Sequence, residues 1–137
     1  MKAKNIIQGV VLVYAFTFIG GFVIGVTVGN SDLPPQQVVL ALMVSNFIFS
    51  IVGFCITGIL VKTERFKTLL VVALICWLLS ALNMLFVPTF GPLQWVFSSV
   101  FLLVTMGIGG GLSYLFAPAV PKQNELEAEP PPPPDFA

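Results

Sequence analysis

The sequence predicts an all-α integral membrane protein: four transmembrane helices in a compact antiparallel bundle, followed by a disordered, proline-rich C-terminal tail. Three observations predict it. The first is composition. Of 137 residues, 57% are hydrophobic and only 9% charged, where a soluble domain carries about 25% charged residues. With a mean hydropathy of +1.00, the chain has too little polar surface to cover itself in water, so lipid is its expected solvent. The second is confinement of charge. The basic residues are Lys2, Lys4, Lys62, Arg65, Lys67 and Lys122; the acidic ones are Asp32, Glu64, Glu125, Glu127, Glu129 and Asp135. They leave charge-free stretches at 5–31, 33–61 and 68–121, and crossing about 30 Å of hydrocarbon takes about 20 apolar residues. The third is punctuation, because turn-forming clusters divide the apolar sequence into segments of that length.

The first span covers about residues 6–28 and stops at "GNSDLPPQQ", where Asn30, Ser31 and Asp32 favour a turn and Pro34-Pro35 cannot continue a helix. The second covers about 37–61 and ends at "KTERFKT". The third, about 69–87, stops at "PTFGP", whose Pro88, Gly91 and Pro92 suffice for a short hairpin. The fourth covers about 93–116 and is followed by Pro118 and Pro121. Helices are expected because lipid offers backbone polar groups no partner. Residues 1–117 thus form the transmembrane domain and 118–137 the tail.

With four spans, all the basic residues fall on one side, which the positive-inside rule makes cytoplasmic. Lys2, Lys4, Lys62, Arg65 and Lys67 therefore set the topology in the plasma (inner) membrane. Both termini are expected in the cytoplasm, with loops 29–36 and 88–92 outside. Phe90 and Trp95 near the outer end and Phe66 near the inner end suit interfacial anchoring, while Trp77 is placed to pack within the bundle. A cleaved secretory signal would also begin with Lys2 and Lys4. The first apolar run of about 23 residues, however, exceeds the about 7–15 of a signal core, and no small-x-small site follows.

Gly21, Gly25 and Gly29 recur every fourth residue in "GFVIGVTVG". Packing in lipid relies on close approach of backbones, which glycine permits, so this strip, widened by Gly20, reads as a docking face in the outer half of the first helix. Gly53, Gly58, Gly107 and Gly111 lie deeper, suggesting that the second and fourth helices meet in the inner half. The "GIGGG" at 107–111 is also the best hinge candidate, since adjacent glycines weaken a helix.

Few strongly polar side chains enter the spans. Asn46 falls about 15 Å and Asn83 about 6 Å from the outer end, with Ser45, Ser80, Ser98 and Ser99 at comparable depths. They read as interhelical hydrogen-bonding groups or as the lining of a small polar cavity. Histidine is absent, and no ionisable residue is expected deep in a span. This argues against proton relays and charged substrates, against metal catalysis and against an activated serine. Cys55 and Cys76 differ in expected depth by about 11 Å, too far for a disulfide, and read as free packing residues.

The loop "KTERFKT" holds three basic residues against one acidic and is expected beside anionic headgroups. The tail carries five consecutive prolines, Pro130 to Pro134, a polyproline II segment that serves as a spacer or docks a cytoplasmic partner. No catalytic group, cofactor, metal or nucleic-acid partner is expected. The sequence thus points to a non-enzymatic small membrane protein acting by helix–helix association, as a subunit or accessory factor. Its expected partners are the lipid bilayer and a second copy or another membrane protein. The alternative is a small oligomeric transporter or channel for a neutral or weakly polar solute.

Overall fold

A computed structural model describes residues 3–29, 32–61, 64–82 and 91–117. Among the described residues there is no strand, and four helices account for most of the chain: α1 (Ala3–Gly29), α2 (Pro35–Leu60), α3 (Arg65–Ser80) and α4 (Pro92–Phe116). Three of them, α1, α2 and α4, are long and apolar enough to cross a membrane. The shorter α3 has 16 residues, about 24 Å of helix, before Ala81 and Leu82 turn. Residues 118–137, including the proline run, lie outside the described residues, as do Lys2, Lys62 and Asn83.

The helix starts differ from the sequence expectation for local reasons. Pro35 opens α2, because a first-turn residue needs no N–H partner and proline's φ is already helical. The Pro34 carbonyl accepts from the N–H groups of Gln37 at 2.9 Å and Val38 at 3.3 Å. Gly91 caps α4, whose first residue is Pro92; the Gln94 side chain reaches back and accepts from the Gly91 N–H at 2.9 Å. The third helix begins at Arg65, four residues before the expected Leu69. Its cap, Glu64, takes a left-handed conformation at φ 50°. Arg65 is thereby drawn off the loop and into the protein.

Exposed side chains are strongly apolar: Phe18 is 73% exposed, Leu93 68% and Leu115 77%. Such a surface is a liability in water and the expected exterior in lipid. The buried core combines Val13 from α1, Phe54 from α2, Leu69, Val72, Ala73 and Cys76 from α3, and Met106 from α4.

Contacts fix the order of the helices. Helix α1 lies against α2 and α3, α4 lies against the same two, and α1 and α4 barely meet. Along α1/α2, Gly9 faces Thr57, Gly53 faces Val13, and Gly20 faces the Phe49 ring, so the chains run in opposite directions. Opposed directions also relate α3 to α4, where Arg65 meets Ser113 and Trp77 meets Trp95. The α2/α4 seam pairs Phe47 with Phe101, Phe54 with Gly109, and Gly58 with Ser113, and is parallel. So is α1/α3, where Gly9 faces Val72 and Tyr14 meets Cys76. The parallel α2 and α4 therefore end at the same level, beside the start of α3.

Candidate functional site

Two regions hold the polar chemistry. The first is a cleft of about 610 Å³ walled by all four helices toward the Trp95 end. It opens because α1 and α4 are held apart by α2 and α3, and because small side chains face one another there. Gly21, Ser50, Cys76, Ser80 and Ser98 share the walls with Tyr14, Thr17, Phe18, Asn46 and Phe101. No lysine, arginine, aspartate or glutamate is among the lining residues.

Most hydroxyl donors on these walls are already used. Thr17 donates to the Val13 carbonyl at 2.9 Å, Ser80 to Trp77 and Ser98 to Trp95, both at 2.6 Å, each within its own helix. Tyr14 donates across the α1/α3 seam to the Cys76 carbonyl at 3.2 Å. Asn46 and Ser50 differ. They lie one turn apart on α2 and both line the cleft. Among the described residues neither side chain finds a hydrogen-bond partner, although Ser50 is only 2% exposed. No described side-chain polar atom that is fully sealed lacks a partner, so the Ser50 oxygen opens onto the cleft. The Asn46 amide oxygen lies 3.8 Å from where a Cβ on Gly21 would sit.

The α3/α4 wall is closed by an indole clasp. Trp77 and Trp95 stack with centroids 4.1 Å apart and rings within 8° of parallel. Each Nε1–H donates to the other's backbone carbonyl at 3.0 Å. At the end of α3 the Ala81 N–H bonds to Leu78 and Leu79 rather than to Trp77. The Trp77 carbonyl, a helix-end acceptor without that N–H, accepts instead from the Ser80 hydroxyl and from the Trp95 indole. The sequence carries this twice, as "WLLS" at 77–80 and "WVFS" at 95–98, each serine donating to its tryptophan's carbonyl.

The second region is built on Arg65, which is 3% exposed. Its Nε–H donates to the Val61 carbonyl at 3.2 Å, its Nη1–H to the Ser113 carbonyl at 3.0 Å and more distantly to the Ser113 hydroxyl at 3.4 Å. The guanidinium also sits 4.4 Å over the centre of the Tyr114 ring. Among the described residues no carboxylate forms an ion pair with it. The parallel seam explains how a cation is held there. The C-terminal ends of α2 and α4 converge on Arg65, each carrying roughly half a negative charge and unsatisfied carbonyls.

The sequence-selected residues are dispersed by this geometry. Asn46, Ser80 and Ser98 come together in the cleft, with Gly21 beside Asn46. Ser45 is buried and donates instead to the Gly20 carbonyl at 3.1 Å, while Ser99 donates to Val96 at 2.6 Å. Gly53 and Gly58 lie in seams with α1 and α4, whereas Gly25, Gly107 and Gly111 have no atom within 4 Å of a prospective Cβ. Gly29 closes α1. The α2/α4 contact is made by Gly109, whose prospective Cβ would sit 2.5 Å from the Ile51 carbonyl oxygen. Of the basic residues, Lys4 is exposed and Lys67 lies 3.7 Å from Glu64 on the surface; Arg65 alone of those described turns inward. Cys55 and Cys76 are free thiols, and among the described residues no three metal-ligating side chains cluster. Composition did not single out Tyr14, Thr17, Ser50, the indole clasp or the inward arginine. The repeated W-x-x-S spacing is a sequence signal that could have found the clasp.

The class these observations define is, among the described residues, an all-helical protein with three helices able to cross a membrane. Compared with known proteins, the chain matches no family model, and neither curated proteins nor solved structures match it significantly.

Proposed function

We propose that this chain is a four-span, non-enzymatic protein of the plasma (inner) membrane that works by helix–helix association, as a subunit or accessory factor. Its bundle has both termini, and the proline tail with any partner of Pro130 to Pro134, on the cytoplasmic side. In support of a fourth span, the 16-residue α3, about 24 Å long, packs antiparallel beside α4, with Arg65 meeting Ser113 and Trp77 meeting Trp95.

The observation that carries the association reading is a division among glycines. Gly9, Gly20, Gly53, Gly58, Gly109 and Gly110 are filled by the chain's own helices, while Gly25, Gly107 and Gly111 face open space. Glycine in a helix interior costs about 1 kcal/mol relative to alanine, and the chain recovers nothing for that cost at the open positions. Close approach of another helix would recover it. Photo-crosslinking from positions 104 and 108 in native membranes, followed by mass spectrometry, tests this reading. A discrete crosslinked partner, lost in Gly107→Leu and Gly111→Leu proteins of unchanged thermal stability, is the expected result. Crosslinks to lipid alone, or crosslinks indifferent to both substitutions, overturn it.

The second reading, an oligomeric transporter or channel for a neutral or weakly polar solute, is favoured by the cleft. It predicts solute flux into proteoliposomes that changes in Asn46→Leu; absence of flux for small neutral polyols and amides counts against it.

A further inference from the structure

We infer that the four-walled cleft is a binding site for a single uncharged, hydroxyl-bearing lipid, its hydroxyl head between Asn46 and Ser50 and its hydrocarbon body along Phe18 and Phe101. The inference uses the membrane-spanning reading for the surroundings of the helices, and depends neither on association nor on transport.

Size comes first. About 610 Å³ lies within the 300–1,000 Å³ usual for small-molecule sites. Charge comes second. The lining holds no lysine, arginine, aspartate or glutamate, so a charged head would be desolvated with nothing opposite it. The third argument is the hydrogen-bond inventory. Every other serine and threonine in the described helices donates to a carbonyl. Ser50 does not, even at 2% exposure, and Asn46 one turn away offers a free amide. These two side chains present both donors and acceptors. Across the cleft Tyr14, Thr17, Ser80 and Ser98 have committed their hydrogens and present lone pairs only. A ketone or ester head would accept from the α2 pair and leave the opposite wall unanswered. An alkane would answer neither. A hydroxyl accepts from Asn46 or Ser50 and donates to the lone pairs facing them, so the walls select an alcohol.

The protein contains two tryptophans, and both belong to the clasp whose carbonyls Ser80 and Ser98 bind at the cleft wall. Tryptophan fluorescence therefore reports on the α3/α4 wall beside the cleft. The full chain, purified from carbonate-washed membranes into nanodiscs, is titrated with 11-bromoundecan-1-ol, 1-bromoundecane and 11-bromoundecanoate. Bromine quenches indole at contact. The alcohol is expected to quench saturably, with an apparent affinity about tenfold or more above those of the alkane and the carboxylate. Asn46→Leu and Ser50→Ala should each weaken the alcohol by about fivefold to tenfold and leave the alkane unchanged. Gly21→Leu, projecting toward Asn46, should remove saturable quenching while the indole emission maximum stays fixed. Equal, non-saturating quenching by alcohol and alkane means partition into bulk lipid and overturns the proposal. So does an alcohol affinity indifferent to both α2 substitutions in protein of native emission. Release of the chain by carbonate overturns the membrane-spanning reading as well, which separates the two failures.

Discussion

The two ends of this molecule are built on opposite principles. At the Arg65 end, α2 and α4 touch backbone to backbone through Gly109. Phe54, Leu69 and Val72 are at most 1% exposed, and a guanidinium is threaded between two helix ends. At the Trp95 end the same four helices stand apart around the cleft, tied by the indole clasp on one side and by Gly20 against Phe49 on the other. One end has almost no room and a charge; the other has room and no charge. The difference teaches that helix packing in an apolar solvent is decided by which small residues meet, since apolar area is equally content against lipid or protein. Where Gly109 meets backbone the helices close, and where Gly21 faces only the Asn46 amide they stay apart.

That contrast can be broken most severely at Gly109. A methyl there meets the Ile51 carbonyl oxygen and Cys55 nitrogen, backbone atoms that cannot rotate away. Gly109→Ala should cost about 3 kcal/mol, read as a lowered midpoint in detergent-mediated unfolding. Gly107→Ala, two residues away and facing open space, should instead gain up to about 1 kcal/mol from helix propensity. Similar effects at both positions would dissolve the distinction between filled and open glycines.

Arg65→Ala comes next. It removes charge-assisted bonds to the Val61 and Ser113 carbonyls and the cover over Tyr114. About 2–3 kcal/mol of stability should be lost. Arg65→Lys should restore only part of it, because an ammonium lacks the planar fork that reaches two helix ends at once. A lysine variant as stable as the parent would reduce Arg65 to a generic cation.

Smaller effects are expected at the open end. Trp77→Phe or Trp95→Phe keeps a ring but deletes one arm of the reciprocal hydrogen bond, at about 1 kcal/mol. Loss of the near-ultraviolet circular dichroism couplet of two stacked indoles checks it. Asn46→Leu, at the cleft wall, should change stability by less than about 0.5 kcal/mol. Among the described residues the amide has no partner to lose, which is what separates a ligand-facing residue from a structural one. A large destabilisation would mean that Asn46 holds the helices together.

Much of the fold is legible in the sequence alone. The boundaries of α1, α2 and α4 follow from charge gaps and proline-bearing turns, because a hydrocarbon solvent tolerates only uninterrupted apolar helix. Even there, Pro34-Pro35 read as a barrier and Pro35 turned out to open α2, since a first-turn residue has no N–H to forfeit. The site was legible only in fragments: Asn46, Ser80 and Ser98 stood out as polar groups in apolar runs, while Ser50 and Tyr14 drew no notice. What remained hidden was rotation. In a soluble helix the polar face announces which side points inward. A helix apolar all round makes no such statement, so Gly107 and Gly109 are equivalent on paper although about 200° of turn separates them. Arg65 was hidden for a related reason, because a charged residue beside a loop reads as surface unless one knows that two helix ends converge on it.

The amino-acid sequence by itself determined the solvent, the number of apolar segments and where most of them begin and end, because these depend on one-dimensional counts of charge and hydropathy. Only the tertiary structure decided which glycines are filled, where the cleft opens and that Arg65 is enclosed. Those outcomes depend on the azimuth and direction of each helix relative to its neighbours, and in lipid these are set by contacts between small side chains rather than by any periodic signal along the chain.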